Sequence, residues 1–320
     1  LKPVARLVIG TRGSALALWQ ARHVAALLRS CHADLEIEER VIATEGDEVP
    51  PGRGAPAAPG QVGVFVRRIE GALISGEIDL AVHSLKDLPT EQPDGLIVAA
   101  VPERHDARDA LVSREGWTLA EVPAGTVVGT GSPRRRCQLL HHRPDLEVAP
   151  VRGNVDTRMR KLREGEVGAL VLAVAGIDRL GLRHLPMQVL DESVCVPAVG
   201  QGALALEVRE ADAATAALVE PLRHEPSTAR IEAERAFLRR LGGGCLAPAT
   251  AHARMLHERL YVEAMVGDPS GTSLLLEREN GEPGEAAAIG ARLAQRLRTA
   301  GAERILAAAR GASDPGHDGR

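Results

Sequence analysis

Val4-Ala5-Arg6-Leu7-Val8-Ile9-Gly10-Thr11-Arg12-Gly13-Ser14 reads as a strand that breaks into a glycine-containing turn and hands over to a helix. Val4–Ile9 is a short apolar run of strand length. Ser14 is a plausible N-cap, and Ala17, Ala21, Val24 and Leu28 then recur at i, i+4, i+7 and i+11 on one helical face. The same grammar returns three times. Ile78 to Val82 enters His83-Ser84-Leu85-Lys86-Asp87, Thr126 to Val128 enters Gly129-Thr130-Gly131-Ser132-Pro133, and Ala169 to Ala173 precedes Gly176-Ile177-Asp178-Arg179. Ser132 is an N-cap with Pro133 at the first helical position. Alternating strands and helices of this kind predict α/β domains with mixed, largely parallel sheets.

The pattern changes near Pro221. Ser227 is predicted to cap a helix through Leu241, which runs into Gly242-Gly243-Gly244-Cys245. Strand-like Tyr261–Val266 and Ser273–Arg278 flank a Gly267-Asp268-Pro269-Ser270-Gly271 turn, and a last helix carries Ile289, Leu293 and Leu297. This reads as a small, separate α+β domain. Residues 46–63, rich in Gly, Pro and Ala, show no periodicity and are expected to form a mobile loop. The tail beyond Arg310 is expected to fray.

At 320 residues, two or three domains are expected, since a domain averages roughly 100–200 residues. A hydrophobic share of 44% suits a buried core, and a net charge of -4 argues against a nucleic-acid binder driven by bulk charge. Two Trp, two Phe and one Tyr are too few for a base-stacking platform. The cysteines Cys31, Cys137, Cys195 and Cys245 show no C-x-x-C spacing, so neither a metal site nor a disulfide framework is expected. With no apolar run approaching the ~20 residues of a membrane helix and no signal-peptide pattern, the expectation is a soluble cytoplasmic protein.

Arginine recurs at strand-to-helix junctions: Arg12, then Arg134 and Arg135 in the helix capped by Ser132, Arg152 before Gly153-Asn154 with Arg158 in the following helix, and Arg179. Helix starts already favour anions, and guanidinium adds a planar fork for carboxylates. In open α/β sheets such junctions meet at the carboxyl ends of the strands, where ligands bind. The reading is a ligand with several carboxylates or phosphates, set against solvated surface charge; no phosphate-loop fingerprint is present. Asp87 ends a strand beside Lys86 and is either an acid–base carboxylate or a turn former. His83 is read as a hydrogen-bonded structural histidine. Cys245, after three glycines and before Pro248, is either an accessible thiol for covalent chemistry or a small buried residue. Cys137 and Cys195 are assigned to the buried class.

These stretches, in this order, resemble the porphobilinogen deaminase family. The matching segments are Gly10-Thr11-Arg12-Gly13-Ser14, Thr44-Glu45-Gly46-Asp47, Ala81 through Pro89, and Val128 through Arg135. Arg152-Gly153-Asn154, Leu172 through Gly176, Pro197 through Gly202 and Gly243-Gly244-Cys245 complete the set. The resemblance implies an enzyme that joins four porphobilinogens head to tail with release of ammonia and then hydrolyses off hydroxymethylbilane. It implies a dipyrromethane cofactor held by a thioether to Cys245, with Asp87 as catalytic aspartate. Arg12, Ser14, Lys86, Thr130, Ser132, Arg134, Arg135, Arg152, Arg158 and Arg179 match positions that bind carboxylate side chains or assist catalysis, and Phe65 and Gln201 match substrate-binding positions. The implied architecture is two periplasmic-binding-protein-like lobes, 1–103 with 200–220 and 104–199, and a third domain, 221–320, that presents Cys245. A monomer is expected. Departures are the lysine-poor loop, with Ala58 and Val62 and with Arg53 as its only basic residue, Glu45 and Gly131 at common arginine and serine positions, and Leu246-Ala247 after the cysteine. Two other classes are weighed: a binding protein for a polycarboxylate solute, which would use the same two lobes but would not need Cys245 or the third domain, and a ligand-sensing regulator, which would need a DNA-binding helix-turn-helix where the N-terminal helix here follows a strand.

Overall fold

The computed structural model describes residues 6–42, 62–242 and 247–311. The first stretch of chain forms β1 (Arg6–Thr11), α1 (Ala15–Cys31), β2 (Glu36–Val41), α2 (Val62–Ile74), β3 (Leu80–Ser84) and β4 (Leu96–Ala100). Next come β5 (Asp109–Ser113), β6 (Val127–Gly129), α3 (Pro133–His142), β7 (Glu147–Ala149), α4 (Val155–Glu164), β8 (Ala169–Ala173), α5 (Val174–Arg179) and β9 (Met187–Val189). β10 (Leu204–Arg209) and α6 (Ala213–Val219) follow, then α7 (Glu225–Leu241), β11 (Ala249–Leu256), β12 (Arg259–Gly267), β13 (Leu274–Gly281), α8 (Ala286–Thr299) and α9 (Ala302–Gly311).

The chain divides into two compact units, 1–105 with 202–228 and 106–201 with 229–320. The first holds one five-stranded sheet ordered β2-β1-β3-β10-β4, with β1 parallel to β2 and β3, and β10 antiparallel to β3 and β4. Leu7, Ile9, Leu80, Val82 and Leu206 pack under α1 through Ala21, Val24 and Leu28. Each fully buried Leu or Ile contributes about 1.5–3 kcal/mol relative to exposure. Ser14 caps α1 as its sequence requires, its Oγ accepting from the Ala17 amide. Ala17 itself faces a cavity, while the buried stripe runs through Gln20, Ala21, Val24, Ala25 and Leu28.

The second unit contains a five-stranded mixed sheet, β7-β6-β8-β5-β9, and a three-stranded antiparallel sheet, β11-β12-β13. The antiparallel sheet is covered by α7 and α8 through Phe237, Ile289, Leu293 and Leu297, all at most 1% exposed. α8 passes so close to α7 that a Cβ on Gly290 would lie 2.1 Å from the Ala233 carbonyl oxygen. Only glycine permits that approach.

Two expectations need correction. Ser227 is not an N-cap, because α7 begins at Glu225; its Oγ instead accepts from the Arg104 amide at 2.9 Å. Ala249–Leu256 is a full strand, and the helix carrying Ile289, Leu293 and Leu297 is not the last, because 302–311 forms another. The expected mobile loop falls mainly on residues 46–61, and the frayed tail on 312–320, both outside the described residues.

Candidate functional site

In the first unit, β1 and β3 end side by side as parallel strands, so their following turns share one sheet edge. Arg12 follows β1, and Asp87 ends a single 3-10 turn, Leu85–Asp87, that follows β3. Both line a cavity of about 210 Å³ together with Ser14, Gln20, His83 and Ser84; Val66, Ile69 and Val82 form apolar walls. Gln20 Nε2 donates to Ser84 Oγ at 2.8 Å, and Thr11 Oγ1 donates to the Ala17 carbonyl at 3.1 Å, which ties the helix to both turns. The 3-10 turn leaves Asp87 exposed and Lys86 half-buried. The structure thus brings together Arg12, Ser14 and Asp87 of the residues named from sequence. The Phe65 side chain lies outside the described residues, although its backbone belongs to α2.

In the second unit the arginines are organised by a residue that sequence reasoning missed. Asp109, wholly buried at the start of β5, accepts from Arg134 Nη2 at 2.8 Å through Oδ2 and from Arg135 Nη2 at 2.6 Å through Oδ1. Arg134 Nη1 also donates to the Val196 carbonyl at 2.6 Å, and Arg135 Nη1 to the Val171 carbonyl at 2.9 Å. Gln201 Nε2 donates to Asp109 Oδ1 at 2.8 Å and to the Ala107 carbonyl at 2.6 Å. The two guanidiniums are 4% and 5% exposed, so this cluster is buried with one carboxylate against two cations. Burial alone would raise the Asp109 carboxyl, but the charges of Arg134 and Arg135 override it and hold the group well below the usual carboxylate range. Burial pushes the neighbouring Cys195 thiol up to about 12, with Asp109 reinforcing the shift.

Ser132 caps α3 by accepting from the Arg135 amide, and its own amide donates to Thr130 Oγ1 at 3.3 Å. Arg152 is exposed after β7; Arg158 is half-buried in α4, where Asn154 is the cap and Arg158 Nε donates to the Gly153 carbonyl at 2.9 Å. Arg179 closes α5 at 9% exposure, and burial lowers its guanidinium to about 10. Cys245 and its preceding glycines Gly243 and Gly244 lie outside the described residues. Cys137 and Cys195 are buried, as their apolar settings predict.

The donor set suits a polycarboxylate group such as a dipyrromethane. The arginine cluster carries net positive charge, and the buried Nε of Arg134 has no acceptor among the described residues. Asp109 was hard to find because it opens an apolar strand as any terminal surface charge would. Glu207 offered a clearer signal, a charge inside Leu204-Ala205-Leu206-Glu207-Val208.

Residues 7–217 match the family model for porphobilinogen deaminase, dipyromethane cofactor binding domain, and residues 228–299 match that for porphobilinogen deaminase, C-terminal domain. A porphobilinogen deaminase of Syntrophotalea carbinolica is 46% identical over 303 residues, covering 94% of this chain and 95% of the relative. That of Thermus thermophilus is 47% identical over 302 residues, covering 94% and 98%. Among solved structures, the BenM effector binding domain with benzoate aligns with a TM-score of 0.41 at 15% identity, covering 68% of this chain and 90% of that one. The probable amino-acid ABC transporter extracellular-binding protein ytmK from Bacillus subtilis aligns with a TM-score of 0.41 at 8% identity, with the same coverage. By its two matched domains and its near full-length relatives, the chain belongs to the porphobilinogen deaminase family, the dipyrromethane-containing hydroxymethylbilane synthases of tetrapyrrole biosynthesis.

Proposed function

We propose that Asp87 is the catalytic carboxylate of this transferase and that Cys245 carries its dipyrromethane through a thioether. The supporting observation is the cavity in which Asp87, Arg12 and Ser14 stand together at the ends of parallel strands. A carboxylate there stabilises positive charge on a pyrrole nitrogen as ammonia leaves the aminomethyl carbon, and Arg12 holds an acetate or propionate side chain. Arg152, Arg158 and Arg179 supply further carboxylate contacts. Arg134 and Arg135 act with Asp109 as a rigid positive base, with Ser132 and Thr130 ordering the helix start beneath it. Lys86, Phe65 and Gln201 complete the expected set. The dipyrromethane, when bound, supplies the pyrrole on which elongation begins.

The donors read charge at fixed places, which suits a product that gains two carboxylates with every porphobilinogen. In this reading the chain works as a cytoplasmic monomer with three domains, 1–103 with 200–220, 104–199 and 221–320. Among the described residues no helix is long and apolar enough to cross a membrane. A binding protein for a polycarboxylate solute is not favoured, because it has no use for the matched C-terminal domain. Incubating the purified protein with porphobilinogen tests the reading. Stoichiometric ammonia release with formation of hydroxymethylbilane is expected, and binding without consumption would overturn it.

A further inference from the structure

Glu207 is a charge in the wrong place for a strand. It lies in β10 at 0% exposure, and its Oε2 is 3.1 Å from Nε2 of His83 on the neighbouring β3. Glu70, 4% exposed on α2, brings a second carboxyl to the same cluster. Ile69 and Leu73 of the same helix, with Ile78 and with Ala81 of β3, form a buried apolar cluster beside these elements. Among the described residues neither Glu70 Oε1 nor Glu207 Oε1 has a hydrogen-bond partner. Two carboxylates in such a place cannot both ionise cheaply. Burial, reinforced by Glu207, raises the Glu70 carboxyl and favours its uncharged form. Glu207 is the carboxyl that meets the histidine directly.

His83 also lines the cavity that carries Asp87. The other charged groups around it are Arg67 on α2, Arg12 after β1, and Asp87 with its neighbour Lys86 on the 3-10 turn; α1 brings only the uncharged Gln20. A carboxylate that accepts Nε2–H fixes that tautomer and leaves Nδ1 as the basic nitrogen, the arrangement that orients a general-base histidine. Asp87 is exposed at the cavity and is already assigned to hold a cation, so a second group is needed to remove a proton.

We propose that His83, oriented by Glu207, is the base that receives the proton lost from the pyrrole carbon at each condensation. The proposal rests on the Asp87 cavity as the place of condensation. Porphobilinogen enters with its amine as ammonium, and the C–N bond breaks with its electron pair leaving on ammonia. An α-carbon of the neighbouring pyrrole supplies the pair for the new C–C bond. Its C–H bond then breaks, the pair returns to the ring, and the proton passes to His83 and on to the released ammonia, which departs as ammonium. Glu207 is a positioning residue in this scheme, because it acts through His83.

The test uses the cofactor-loaded enzyme. His83→Gln should lower kcat by roughly 10²–10⁴-fold with little change in KM, and should abolish the acid limb of the kcat–pH profile. Glu207→Gln should cause a smaller loss and move that limb to lower pH, since removing a negative neighbour makes the imidazole less basic. Nitrogen-15 NMR of the resting enzyme, with His83 assigned through the His83→Gln variant or a tagged segment, should show the neutral Nε2–H tautomer, and Glu207→Gln should erase that preference. A folded His83→Gln enzyme with an unchanged acid limb, or an Nδ1–H tautomer in the wild type, overturns the proposal. If His83→Gln does not fold, the wild-type tautomer and the Glu207→Gln profile decide. Asp87→Asn, run in parallel, separates the two readings: normal turnover there sinks the cavity assignment, whereas a dead Asp87→Asn beside an unaltered His83→Gln profile sinks only the base.

Discussion

Arg135 grips a single oxygen of Asp109 twice, with Nε at 3.1 Å and Nη2 at 2.6 Å from Oδ1, while Arg134 takes the other oxygen. A residue expected to read substrate carboxylates is therefore already bound to a carboxylate of its own chain. The pair of arginines is held rigid before any ligand arrives, and the surplus cation of the cluster is what remains for a ligand to neutralise.

Asp109→Asn should destabilise the second unit by about 3–5 kcal/mol, because it leaves two buried guanidiniums without their counter-charge. In the wild type the Asp109 carboxyl is depressed on folding, so its stabilisation is complete above the usual carboxylate pKa, about 3.9, and is lost as pH falls below that through the lowered folded value. Urea unfolding at pH 7 and pH 3 measures both. Equal stability of wild type and Asp109→Asn at pH 7 would remove the anchoring role.

Arg135→Lys keeps one positive charge but cannot span Asp109, Val171 and Gln201 with one fork. Elongation is expected to stall, with partly extended enzyme–pyrrole species visible by native mass spectrometry during turnover. Spectra matching the wild type would argue that charge alone suffices.

Asp87→Ala should lose roughly 10²–10⁴ in turnover while keeping its fold, since the side chain sits exposed at the cavity rather than in a core. Circular dichroism and a porphobilinogen consumption assay check the two halves of that statement.

Cys245→Ser should yield a protein of bare polypeptide mass with little turnover, whereas the denatured wild type should be heavier by the bound dipyrromethane. Serine at Cys31 should leave that added mass in place. Peptide mapping of the adduct to a cysteine other than Cys245 would be decisive against the assignment.

Gly290→Ala forces a methyl group onto the backbone of α7 and should cost about 1–3 kcal/mol by overpacking. Gly284, with nothing near its would-be Cβ, should accept alanine with far less effect. Thermal melts of the two variants side by side give the contrast.

The α/β grammar was legible wherever local chemistry dictates the element. Ser14, Ser132 and Asn154 all cap the helices their sequences announce, and β8 spans the residues its apolar run predicts. β11 was not legible: Ala249-Thr250-Ala251-His252-Ala253 has little β-propensity, and pairing along the whole of β12 overrides it. Ser227 looked like a cap because serine commonly is one, yet a long-range partner, Arg104, claims its hydroxyl. At the site, Arg12 and Asp87 could be placed from the strands they follow. Asp109 could not, because its partners stand 25, 26 and 92 positions away and no periodicity connects them.

The sheet of the first unit has its own timetable. β10 lies between β3 and β4, and Glu207 reaches His83 across 124 positions of sequence. At a synthesis rate of about 5–20 residues per second, His83 leaves the ribosome roughly 6–25 s before its partner does. All five strands of the second unit's mixed sheet, from Asp109 to Val189, are translated within that interval. A nascent chain can therefore complete that later sheet first, while β4 waits without a neighbour on the side that β10 will occupy. The earliest-made sheet is the one most exposed to a pause in translation or to the wrong edge partner, and the buried ionisable cluster can be assembled only when the insertion has been fully made.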